Sequence, residues 1–294
     1  MKYLEFRNSF EWAVMDFFHQ FSNKVLNMIF KIITEFGSGE IVFAVILLFY
    51  FCINKGFAKK LAYIMTTSFL FNGIFKSLFL AKRPFEFEGK EYLRQLPNSD
   101  GATGTSFPSG HSQNAGSLYS SFIINKTKRV FKIISIILII IVPISRLYLG
   151  VHFFGDVIIG LIIGIVFAIL FNFVYDRLNN SNLLHLVSIL IILTTIPFLI
   201  INWNNPDCAD LFKSFGLGIA VFLANFIESK YINFTTNVSI KNKVNEILED
   251  LDILELNNMK NIVRSDRRIK SFLAGCFLGS GSVSNPKKTD YHLE

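Results

Sequence analysis

The chain is 294 residues long, 51% hydrophobic and only 17% charged, with a mean hydropathy of +0.44; this excludes a disordered chain and argues against an ordinary soluble domain. A formal net charge of +7 would suit nucleic acid, but in so apolar a chain Lys and Arg gather in cytoplasmic loops, which accounts for the excess without such a partner. Cys52, Cys208 and Cys276 lie far apart without metal-ligand spacing, so neither a disulfide framework nor a zinc site is expected.

In chain order, the opening MKYLEFRNSF has no clean apolar core and no small-residue cleavage site, so it does not read as a signal peptide. Residues 10–35 are apolar yet carry Glu11, Asp16, His19, Lys24 and Lys31; they form either a first span or an amphipathic helix lying at the interface. A membrane span needs about 20 mostly apolar residues. Candidates follow at 40–54, 58–80, 109–125, 130–149, 153–175, 183–202 and 208–227. The first is short, and 109–125 is polar for a span, which is tolerated in a helix that faces protein rather than lipid. The expected fold is all-α, a polytopic transmembrane helical bundle in the cell membrane.

The loops alternate in charge. Lys55, Lys59 and Lys60, then Lys126, Lys128, Arg129 and Lys132, then Arg177 mark loops expected to face the cytoplasm. The loop 202–209 has no basic residue and is expected outside, together with 81–108 and 149–152. The 81–108 loop nevertheless carries Lys82, Arg83, Lys90 and Arg94, which breaks the charge rule and invites a functional reason. Composition shifts near 236, so residues 1–235 are expected to form the membrane domain and 236–294 a separate soluble cytoplasmic tail. In the tail, 242–257 reads as amphipathic helix, and RSDRRIK at 264–270 is a basic run that more often marks a solvated surface than a nucleic-acid patch.

Polar residues collect at the outward membrane border in three places. In KSLFLAKRP, Lys76 and Arg83 are spaced two helical turns apart, which would put both on one face of a helix that Pro84 then ends. In PSGH, Pro108 and Ser109 resemble a helix start, leaving backbone N–H groups at 109–111 as a seat for an anion. In SRLYLGVHFFGD, Arg146 ends one span while His152 and Asp156 open the next. Singly, each has a plain structural role: a cation snorkelling to headgroups, an interfacial histidine, an acid capping a helix. Lys76 is deeper, and a charge at the bilayer centre costs about 2.5–3.5 kcal/mol on insertion scales, so it wants a partner. Together, the cations, His111, His152 and Asp156 converge on one side of one membrane.

Their chemistry suits a phosphate. Lys76, Arg83 and Arg146 offer positive charge and forked donors. The N–H groups around Ser109 and Gly110 add donors, with no Gly110 side chain to hold the anion off. An imidazole can attack phosphorus to give a phosphohistidine. Asp156 can fix the tautomer of His152, and His111 can protonate the leaving oxygen and then deprotonate water. With one carboxylate in the set and no ligand cluster, no metal and no cofactor is called for.

These stretches, K-x6-RP, PSGH and SR-x5-H-x3-D in that order, resemble the type-2 phosphatidic acid phosphatase superfamily, which shares its core with vanadium-dependent haloperoxidases. The resemblance implies His152 as nucleophile, Asp156 as its orienter and His111 as acid. It implies that Lys76, Arg83, Arg146, Ser109 and Gly110 hold the phosphate, in a metal-independent reaction on a lipid phosphate at the extracytoplasmic face. Its core covers 40–175, with flanking helices to about 235. One departure is Phe154, where many relatives have Pro. The substrate stays open among a polyprenyl diphosphate such as undecaprenyl diphosphate, phosphatidate and phosphatidylglycerophosphate, as does hydrolysis against transfer to an acceptor hydroxyl. Oligomeric state is not legible. The tail, FLAGCFLGSGSVSNPKKTDYHLE with ILEDLDIL before it, resembles WhiA-type sporulation and division regulators over 244–294, a part of their LAGLIDADG-like α+β domain without the helix-turn-helix. The tail is therefore read as a fused regulator fragment that does not bind DNA.

Overall fold

The computed structural model describes residues 8–94, 104–179 and 181–232. Contacts divide the chain into two units, Met1–Tyr50 with Asn54–Phe234, and Phe51–Ile53 with Thr235–Glu294. The expectations for 236–294 lie outside the described residues. Among those, every regular element is helical: α1 Ser9–His19, α2 Lys24–Glu35, α3 Gly39–Leu48, α4 Lys55–Phe79, α5 Gly110–Ile124, α6 Arg129–Tyr148, α7 Phe154–Leu178, α8 Asn182–Ile201 and α9 Ala209–Ile227. The starts are written locally. Asn8, Asn23, Ser38, Asn54 and Ser109 each turn a side-chain oxygen onto an N–H of the first helical turn, satisfying a donor the helix itself cannot.

The apolar stretch 10–35 is not one span. It breaks over Gln20–Asn23, where Asn23 caps α2, and leaves helices of 11 and 12 residues, too short to cross alone. The pair α2 and α3, the latter running on to Ile53, is long enough together but bent by 49°. Among the described residues, five helical segments are long and apolar enough to cross a membrane, or six if the bent pair is one span. The protein is a multi-pass membrane protein.

Helix α5 departs from the span expectation for 109–125. At 15 residues it is short, and Ser112 through Phe122 are all buried. It is the axis of the bundle. Its polar side chains are satisfied inside: Gln113 accepts from Asn72 and donates to Ser68, Ser117 meets Ser68 and the Gly164 carbonyl, and Asn114 donates to the Gly37 carbonyl. Burying such groups unpaired would cost roughly 1–3 kcal/mol each. Close approach of α5 and α7 depends on small residues. A methyl at Gly160 would meet the Ser109 backbone, and one at Gly164 would meet the backbone of Gln113 and Ser117, as in small-residue helix crossings of membranes.

The two ends of the bundle differ. One gathers Lys55 and Lys59 on Glu228, and Lys60 on Asp176 and Asn125. At the other lie the last turns of α4 and α6 and the first turns of α5, α7 and α9. All three polar stretches singled out above lie at this second end.

Replacing Gly164 by Val should lower the thermal unfolding midpoint in detergent, since overpacking against backbone costs about 1–3 kcal/mol or more. Gly216→Ala, where an added methyl meets nothing within 4 Å, should not. Equal midpoints for Gly164→Val and the parent would contradict this packing account.

Candidate active site

Lys76 lies in the last turn of α4 and is buried. Arg83 does not share its helical face, contrary to the spacing argument. The helix stops at Phe79, where Leu80 turns left-handed (φ 45°) and its N–H closes onto the Lys76 carbonyl. Arg83 arrives instead on the loop, as the residue before the 3-10 turn Pro84–Glu86. Short staples hold this loop to the segment leading into α5. Ser106 N–H donates to the Ala81 carbonyl (2.8 Å), Thr105 Oγ1 to the Lys76 carbonyl (3.3 Å), and Arg83 Nε to the Gly104 carbonyl (2.9 Å). Two further cations of the loop have other work: Lys90 sits over Trp12 and Tyr92, and Arg94 over Phe85.

The stretch PSGH begins α5 as expected, with Ser109 as its cap. One detail differs. The Ser109 N–H is already used, donating to the Asp156 carbonyl at 3.0 Å. The free donors of that first turn are therefore those of Gly110 and His111, which have no helical acceptor by geometry.

Arg146 ends α6, and its Nη1 donates to Thr34 Oγ1 of α2 at 2.7 Å. His152 precedes α7, which begins at Phe154, a first-turn position open to Pro or Phe. Phe153 between them is fully buried against Trp12 and Phe87, so α1 covers this corner. Asp156 caps and orients at once: its Oδ2 accepts from Phe153 N–H at 3.0 Å. It does not reach the imidazole by a direct hydrogen bond, because Nδ1 of His152 and Oδ2 of Asp156 are 3.8 Å apart. On the other side, Nε2 of His152 lies 3.3 Å from Nη1 of Arg83, which also donates to the Val151 carbonyl. A guanidinium only donates, so Nε2 is the acceptor and Nδ1 carries the proton. Burial first, then the charges of Arg83, Arg146 and Lys76, hold this imidazole well below the ordinary histidine range, against a smaller opposing pull from the Ser106 backbone. At neutral pH it is uncharged, with a lone pair turned toward the cations.

The set converges. His111 interacts electrostatically with Arg146, His152, Lys76 and Arg83, and Lys76 with Arg83 and Arg146. Three further residues belong here that the sequence reading passed over. Asp210, at the start of α9, accepts from Lys76 Nζ at 2.7 Å, so the set holds a second carboxylate. Thr34 holds Arg146, and Ser106 stands beside His152. Asp210 had a signal: a deep lysine needs a counter-charge, and an acid opening an apolar helix on the same side can supply it.

Asp210→Ala leaves a buried ammonium without its partner, so the variant should unfold at a lower temperature in detergent. A tetrahedral oxyanion such as phosphate should then raise the midpoint of the variant more than that of the parent, because the anion replaces the lost charge. An equal rise in both would show that Lys76 does not face the anion seat.

Two parts of the chain resemble known proteins. The sequence pattern of the PAP2 superfamily matches residues 57–180, and that of the WhiA LAGLIDADG-like domain matches 269–294. Among solved structures, LpxE of Aquifex aeolicus superposes with a TM-score of 0.50 at 22% identity, over 58% of this chain and 98% of that one, which is a likeness of fold. The first transmembrane PAP2 type phosphatidylglycerolphosphate phosphatase from Bacillus subtilis gives a TM-score of 0.48 at 25% identity, over 58% and 86%. Curated relatives match over a short stretch of the chain. A probable cell division protein WhiA of Lactobacillus johnsonii is 43% identical over 68 residues, 21% of this chain and 22% of that protein. Its counterpart in Ligilactobacillus salivarius is 45% identical over 62 residues, 19% and 20%. The chain thus spans about a fifth of the length of the curated relatives it matches. Residues 57–180, which carry KSLFLAKRP, PSGH and SRLYLGVHFFGD in order at one end of a helical bundle, are thus the part of the chain that matches the PAP2 superfamily.

Proposed function

We propose that this protein is an integral-membrane phosphatase that hydrolyses a lipid phosphate through a phosphohistidine on His152. The observation that carries the reading is the buried contact between Arg83 Nη1 and Nε2 of a neutral His152. It turns a nucleophilic lone pair into a seat ringed by positive charge.

The steps follow from the side chains. Lys76, Arg83 and Arg146, with the N–H groups of Gly110 and His111, draw the phosphate oxygens in. Ser109 shapes the seat by capping α5. Nε2 of His152 attacks phosphorus as the bond to the lipid oxygen breaks, and His111, which takes up a proton as the anionic phosphate enters, gives that proton to the oxygen. His111 then takes a proton from water as the water oxygen attacks phosphorus and Nε2 leaves. The cations stabilise the charge on the equatorial oxygens throughout. They are held in place before substrate arrives, by Asp210, Thr34 and backbone carbonyls, so little reorganisation accompanies the reaction. Asp156 stabilises the imidazolium. The positive-inside rule assigns the Lys55, Lys59 and Lys60 end to the cytoplasm and the site to the extracytoplasmic face. An acyl or prenyl chain suits the lipid-facing helices beside the seat; the substrate class is a lipid monophosphate or diphosphate. Residues 1–235 form the catalytic domain, and 236–294 are a separate segment that the chemistry does not use.

Purified protein should release phosphate from such lipids without an added acceptor alcohol. His152→Ala and His111→Ala should each abolish release; full activity in either would overturn the roles given. Vanadate should inhibit, while a chelator should leave the rate unchanged; loss on chelation, restored by magnesium, would contradict a clamp of protein cations. A chain truncated after residue 235 should keep its turnover number, and an inserted but inactive truncation would assign the tail a role.

A further inference from the structure

Ser106 bridges, from one side, the two residues that a nucleophile–carboxylate pairing would join directly. Its Oγ is 2.5 Å from Asp156 Oδ2 and 3.4 Å from His152 Nδ1, whereas Nδ1 and Oδ2 are 3.8 Å apart. All three residues are buried, with Ser106 and Asp156 wholly so. Donor counting orders the chain. Nε2 of His152 faces the donor-only Arg83, so Nδ1 bears the proton and can give it only to an acceptor. A carboxylate accepts only, so the Ser106 hydroxyl proton goes to Asp156 and its lone pair faces Nδ1–H. The segment itself is fixed by Ser106 N–H on the Ala81 carbonyl and by Arg83 Nε on the Gly104 carbonyl.

We infer that Ser106 is a positioning residue for the reaction, through whose hydroxyl Asp156 holds the tautomer and supports the developing charge of His152. The inference rests on the phosphohistidine reading. As the Nε2–P bond forms, the lipid oxygen leaves with its electron pair and takes a proton from His111. The imidazole becomes positive while keeping its Nδ1 proton. The Nδ1–H to Ser106 to Asp156 chain then becomes charge-assisted at both links, stronger in the transition state than before it. No proton passes to Asp156. The interaction therefore acts on kcat and little on substrate binding.

The test is a double-mutant cycle on the full-length protein, read as kcat and KM for phosphate release. Ser106→Ala should lower kcat by roughly 10–100-fold, the size of one lost charge-assisted hydrogen bond, with KM within about threefold. The loss should stay short of that in His152→Ala, which removes the nucleophile itself. Ser106→Cys preserves volume but hydrogen-bonds weakly, so a comparable fall there, at an unchanged unfolding midpoint, separates the hydroxyl from packing. Ser106→Ala combined with Asp156→Asn should be no slower than Asp156→Asn alone, because the carboxylate acts through the serine. Parental kcat in Ser106→Cys, or losses that multiply in the double variant, would overturn the role of Ser106 while leaving the phosphatase reading intact. A parent protein that releases no phosphate from any lipid phosphate would instead sink that reading, and the inference with it.

Discussion

The structure is organised around the problem of keeping positive charge buried at one end of an apolar bundle. An isolated ammonium or guanidinium in such a place is expensive, and each of the three is met by a different solution. Lys76 has the Asp210 carboxylate, Arg83 has the carbonyls of Gly104 and Val151, and Arg146 has the Thr34 hydroxyl. These partners come from α9, from two loops and from α2, so the site draws on nearly the whole membrane domain. The PAP2-matching segment 57–180 contains the cations, but Thr34 and Asp210 lie outside it. That is a physical reason for the chain on both sides of the segment.

Helix α5 is the second constraint. It must be polar enough to carry a site at its first turn and tight enough to bring that turn against α7. The sequence meets both needs with small residues. Gly160 and Gly164 admit the α5 backbone, and Ser68, Asn72, Gln113 and Ser117 tie α4 to α5 without leaving polar groups unpaired. The Ser109 N–H bound to the Asp156 carbonyl is the innermost of these ties. It links the proposed anion seat directly to the turn that carries His152, the proposed nucleophile.

Much of this was legible in the residues, and the failures have physical causes. The span candidates appear as helices because hydropathy and side-chain caps are local signals. The polarity of 109–125 correctly pointed inward, because Ser, Gln and Asn there could not face lipid. Lys76 and Arg83 were wrongly set on one helical face. The helix ends at a left-handed Leu80, a conformation that leucine seldom adopts and that no pattern announces. Spacing alone paired Asp156 with His152; the structure sets Nδ1 and Oδ2 3.8 Å apart with Ser106 Oγ beside both, a serine from 46 residues away that spacing along a chain cannot reveal. Asp210 is further still from Lys76, 134 residues along the chain. Only the demand of a buried lysine for a counter-charge pointed toward it.

The central claim is covalent: during turnover, phosphorus is bonded to Nε2 of His152. The most direct measurement incubates the protein with a lipid labelled in its phosphate, quenches with alkali, in which a phosphoramidate survives, and maps the label by peptide mass. The account predicts acid-labile phosphate on the peptide containing His152, lost in His152→Ala. Turnover that proceeds with no labelled protein at any quench time, or with the label on another residue, would contradict it.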